Sequence, residues 1–171
     1  MTDQDTRFLP FFLRQPIYVV PEPERPDSEP TPPPELSWQG EGKQEIMVLV
    51  QEPRYEFLAP EDQTFLEKIL QAVSLTMGDV RILNINSVAP YLRQEISFDD
   101  LLAPYPYRTC VILGEVPTPW VQSSHFEKYR VTEGTHGQAL LQADPLSIIA
   151  SDTDKKGQLW RCLQQLFIAP R

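Results

Sequence analysis

The chain has 171 residues, 15 Lys and Arg against 24 Asp and Glu, and a net charge of −9. An acidic surface repels phosphate, so composition argues against non-specific nucleic-acid binding, which rests on Lys and Arg. Two cysteines, Cys110 and Cys162, are too few for a four-Cys metal or iron–sulfur site, and no cofactor is expected. No 18-residue apolar run and no basic, signal-like N-terminus is present, so a cytoplasmic protein without membrane contact is expected.

Residues 1–20 form an apolar N-terminal peptide. Phe8, Leu9, Phe11, Phe12, Leu13, Ile17 and Tyr18 crowd into it, followed by Val19 and Val20. Such an island either docks on its own domain, adding an edge strand through Ile17–Val20, or anchors in the groove of a protein partner. Residues 21–42 read as a linker. Its first part, residues 21–35, holds seven prolines and five acids against one Arg. That composition buries too little apolar surface to offset chain entropy, which predicts an extended, disordered tether. Residues 43–171 remain for one α/β domain.

Within it, Glu45–Val50 is a continuous apolar, β-rich run, as in a strand covered on both faces. Residues 60–73 predict a helix: Pro60 suits its first turn, Glu61 and Asp62 favour its N-terminus, and Phe65, Leu66, Ile69, Leu70 and Val73 make one stripe. Val80–Ile85 predicts a second strand. Ser97 is the expected cap of a short helix over Phe98–Ala103, with Asp99 and Asp100 as first-turn acids. Thr109–Leu113 predicts a third strand, stopped by Gly114. Residues 126–142 read as a β-excursion or hairpin around Gly134 and Gly137. Asp144–Ile149 reads as an exposed loop. A last helix starts near Ser151 or Asp152, with Leu159, Trp160, Leu163, Leu166 and Phe167 on one face and Gly157 inside it. Strands alternating with helices predict a three-layer α/β fold around a mostly parallel sheet.

Other residues read as structural. Cys110 and Cys162 are expected to be buried, reduced thiols. His125 and His136 are read as loop histidines. Lys155 and Lys156 sit beside Asp152 and Asp154, as in a charge-balanced helix start. Trp38 and Trp120 are placed in loops, Trp120 as a partner contact or a local lid.

The order of strand 46–50, helix 60–73, strand 80–85, strand 109–113, a Pro loop at Pro145 and a helix carrying Lys155, Lys156 and Trp160 resembles the uracil-DNA glycosylase superfamily. The resemblance implies that fold, and a catalytic His in the last loop. Asp144 stands at that position, the wrong sign for stabilising charge that grows on a departing base. Where the family has a Gly-rich, water-placing loop, this chain has Gln51-Glu52-Pro53-Arg54. Gly137–Ala143, Asp144–Ile149 and Leu159–Leu166 resemble more closely the family of psi subunits of bacterial DNA polymerase III, which share the scaffold without glycosylase activity. This resemblance implies a non-enzymatic protein–protein adaptor in DNA replication. Its N-terminal peptide would dock on a partner such as the clamp loader, its body on a chi-like subunit, with direct DNA binding weak or absent. The alternative is an atypical DNA glycosylase using Glu52, Asn84 or Asn86, and Asp144.

Overall fold

The computed structural model describes residues 36–88, 97–117 and 126–168. The apolar peptide 1–20, the linker as far as residue 35, Trp120 and His125 lie outside the described residues.

Strands β1 (Ile46–Val50), β2 (Val80–Asn84), β3 (Thr109–Leu113), β4 (Val131–Glu133) and β5 (Ala139–Ala143) form one sheet in the order β2-β1-β3-β5-β4. All neighbours are parallel except β4, which runs antiparallel to β5. The helices are α1 (Pro60–Ala72), α2 (Phe98–Leu102), α3 (Leu146–Ser151) and α4 (Thr153–Phe167), and a 3₁₀ turn spans Ile85–Val88.

Side chains alternate across a strand, and here both faces are buried. Ile46, Val48, Val50, Val111 and Leu141 pack under α1, α3 and α4. Met47, Leu49, Leu83, Ile112 and Leu140 pack under α2, led by the fully buried Phe98. The result is an α/β fold with helices on both faces of a mostly parallel sheet. Ser97 caps α2 by accepting from the Asp100 N–H at 3.1 Å. The chain joins the domain before residue 43: Gln39 and Ile82 exchange backbone hydrogen bonds of 3.0 and 2.8 Å, and Trp38 packs edge-on against Tyr105.

Two expectations change. Leu146–Ser151 is a helix and not a loop, because Leu146 and Ile149 reach the core one turn apart behind Pro145. Asp152 breaks it with an extended backbone (φ −124°, ψ 115°) and starts α4, accepting from the Asp154 and Lys155 N–H groups. The hairpin expected around Gly134 and Gly137 is present as β4 and β5, and β5 also pairs in parallel with β3. On α4, Trp160 leaves the buried face and is 36% exposed, while Cys162 joins Leu159 and Leu163 inside.

Candidate functional site

The parallel register aligns Asn84, Val50, Leu113 and Ala143, so the segments that follow four strands meet at one edge of the sheet. The chain leaves β1 toward β2 on one side and returns to β3 on the other. Open α/β sheets bind ligands at such a switch point, outside the carboxyl ends of the strands.

Here Gln51 and Gly114 close part of that crevice. Gln51 follows β1 and Gly114 follows β3. A Cβ on Gly114 would lie 2.9 Å from the Gln51 Cβ, and Gln51 Oε1 accepts from the Glu115 N–H at 3.2 Å. Gly114 has φ +151°, which also favours glycine. Buried Gln142 of β5 donates from Nε2 to the Gly114 carbonyl at 3.2 Å.

Asn84 ends β2 and is 3% exposed. Its Nδ2 donates to the carbonyls of Glu52 (2.7 Å) and Tyr55 (3.0 Å). Its Oδ1 accepts from the N–H groups of Glu52 (3.2 Å) and Asn86 (3.0 Å). Two donors and two lone pairs are the full capacity of a carboxamide. Asn84 therefore ties down the loop after β1. Asn86, two residues on, is exposed.

Asp144 follows β5 and is the centre of an ionic cluster. Lys128 Nζ lies 2.8 Å from Oδ1, Lys155 Nζ lies 2.8 Å from Oδ2, and the Tyr129 hydroxyl donates to Oδ2 at 2.9 Å. Lys128 also reaches Glu115 at 2.6 Å. Hydrogen bonds from Lys128 and then Lys155 hold the Asp144 carboxyl below the usual carboxylate range. Hydrogen bonds to Asp144 and Glu115 raise the Lys128 ammonium above its usual value. Burial, then the bond to Asp144, pushes the Tyr129 hydroxyl up to about 12. Tyr129 takes the left-handed φ of +57°, and its backbone is pinned on both sides. Its N–H donates to the Gln142 carbonyl at 2.7 Å, and its carbonyl accepts from Cys162 Sγ at 3.1 Å.

The rest of the crevice, over Val50 and Leu113 at the ends of β1 and β3, is a cavity of about 400 Å³ that opens among Glu52, Arg54, Tyr55, Asp62, Pro145 and Ser147. Glu52 lines it; Asn84, Asn86 and Asp144 do not. Glu52 Oε1 accepts from the Arg54 N–H at 2.9 Å. Burial, then the negative charges of Glu52 and Glu61, raises the Asp62 carboxyl above its usual range. The carboxyl groups of Glu52, Glu61 and Asp62 around this cavity outnumber the one guanidinium, Arg54, which disfavours phosphate there.

Of the four residues of the glycosylase alternative, Glu52 and Asn84 are hydrogen-bonded neighbours, but only Glu52 lines the cavity; Asn84 is spent inside the loop clamp, Asn86 is on the surface and Asp144 lies inside an ion cluster. Among the described residues, no group of His, Cys, Asp and Glu could hold a metal ion, and no helix is long and apolar enough to cross a membrane. Sequence reasoning misses Gln51, Lys128 and Tyr129. Only Gly114, behind an apolar strand, signals the close approach at the edge. In comparisons with known proteins, no family model and no curated protein matches the chain.

Proposed function

We propose that this chain is a non-enzymatic protein–protein adaptor on a uracil-DNA glycosylase-like scaffold, resembling the psi subunit of bacterial DNA polymerase III. In this reading it acts in the cytoplasm. Residues 1–20, led by Phe8, Leu9, Phe11, Phe12, Leu13, Ile17 and Tyr18, dock on a protein partner such as the clamp loader, with direct DNA binding weak or absent.

The observation that supports the reading is how Asn84 and Asp144 are spent. A glycosylase needs groups free to place a water and to stabilise a leaving base. Asn84 uses every hydrogen-bonding site of its amide on backbone, and both Asp144 oxygens are taken by Lys128, Tyr129 and Lys155. The glycosylase alternative draws on one observation, the cavity at the sheet edge that Glu52 lines.

Affinity capture with the full chain and with a chain lacking residues 1–20, against purified clamp-loader subunits, tests the adaptor reading. Retention by the full chain alone is expected. Equal retention by both removes the role of the peptide. A base-excision assay on uracil-containing, deaminated and oxidised DNA should give no product. Excision that Glu52→Gln abolishes would establish the alternative.

A further inference from the structure

The chain has five lysines, and their partners divide them. Lys43, Lys128 and Lys155 each pair with a carboxylate. Lys68 and Lys156 pair with none among the described residues, although the chain carries a net charge of −9. Both border the same feature, a cavity of about 260 Å³ between α1 and α4. Its apolar lining includes Phe65, Ile69, Leu159 and Trp160. The Lys156 ammonium stands 5.8 Å over the Phe65 ring, at the edge of the groove.

α3 packs against both α1 and α4, and its Ile149 lines the groove between them. A second apolar gap, of about 20 Å³, lies between the same two helices and the sheet. The lining runs from Phe65 to Ala72 on α1 and from Lys156 to Leu163 on α4, walls of roughly 12 Å at about 1.5 Å per residue, enough for two turns of a helix. Trp160, 36% exposed, is the kind of side chain that anchors interfaces.

We infer that the α1/α4 groove is a docking site for an amphipathic helix of a partner protein, whose apolar face is flanked by acidic residues that meet Lys68 and Lys156. This is helix-in-groove recognition, with the charge pair setting orientation and partner choice. The site lies wholly on described, folded residues, so it stands apart from the reading of residues 1–20.

The test uses the full chain and two synthetic helical peptides of about 14 residues, with Leu and Phe at i, i+3, i+4 and i+7. One carries Glu on both flanks of the apolar face, and its twin carries Lys. Tryptophan emission follows binding, with Trp160→Phe identifying the reporter and circular dichroism confirming the fold of each variant. The Glu peptide should bind at least about tenfold tighter than its twin at low salt. The double variant Lys68→Glu, Lys156→Glu should reverse that order. The inference is overturned if neither peptide binds, if both bind alike, or if the charge reversal leaves the order unchanged. It is also overturned if the Glu peptide binds only after residues 1–20 are deleted, since the occupant is then a segment of the same chain.

Discussion

Asn84 and Glu52 hold each other by a reciprocal pair of hydrogen bonds. The Asn84 amide donates to the Glu52 carbonyl at 2.7 Å, and the Glu52 N–H donates to Asn84 Oδ1 at 3.2 Å. The pair fastens the irregular loop after β1 to the end of β2, where no ladder bond is available to either segment. It also decides what Asn84 can do, since a carboxamide with four partners has no group left for a substrate.

Replacing Asn84 by Ala should therefore act on stability. It strips partners from two N–H groups and two carbonyls, and a loss of about 2–3 kcal/mol is expected. Asn84→Asp should be worse at neutral pH than in mild acid. Its carboxylate can accept from Glu52 and Asn86 but offers no proton to the carbonyls of Glu52 and Tyr55. Urea unfolding at two pH values checks both.

The Asp144 cluster sets a pH window. The folded-state value of Asp144 is depressed, so its contribution is present above the unfolded value of about 3.9 and is lost as pH falls toward the folded one. Lys128 and Tyr129 are raised, so their contributions are present below about 10 and are lost at higher pH. The contribution of this cluster should be flat between these limits. Asp144→Asn should lower it by about 1–3 kcal/mol on the plateau and flatten the acid limb, as followed by thermal unfolding across pH.

Two glycines should respond in opposite senses to Ala. Gly40 has φ +95°, and a Cβ there would strike the carbonyl oxygens of Val80 and Met77. Gly40→Ala should cost about 1–3 kcal/mol and loosen the contact of Gln39 with β2. Gly157 lies inside α4, where an added methyl would meet nothing within 4 Å, so Gly157→Ala should stabilise by about 1 kcal/mol. Chemical denaturation of both variants distinguishes steric need from simple helix cost.

Both thiols should be silent in the folded chain. Burial raises Cys110, which is fully buried, and also Cys162, whose Sγ is turned to the Tyr129 carbonyl. A thiol reagent at neutral pH should titrate neither until denaturant is added, then both. Fast native labelling of Cys162 would show that α4 opens from the Tyr129 segment.

The site is less legible in sequence than the fold. Glu52 stands out for its carboxylate and does line a cavity. Asp144 stands out for its position, but its meaning comes from Lys128, before β4, and from Lys155 on α4, the second helix after it. The spacing of these residues does not reveal that they converge. The same holds for Asn84, whose partners Glu52 and Tyr55 belong to the loop after a different strand. Gln51 is invisible because a glutamine after a strand has no pattern of its own.

What the sequence determined by itself is whatever rests on local periodicity and capping: the strands at Ile46–Val50 and Thr109–Leu113, the α1 stripe, and the Ser97 and Asp152 helix starts. Those signals lie within a few residues of the element they specify. Tertiary structure alone decided the rest. The interior place of Ala139–Ala143, marked in the sequence only as half of a hairpin, comes from β3 and β4 pairing with both its edges. Leu146–Ser151 is too short to hold as a helix alone and is kept by burying Leu146 and Ile149. Trp160 follows a buried Leu159, but the direction of its Cβ on α4 carries it out to the groove, where packing with α1 is incomplete.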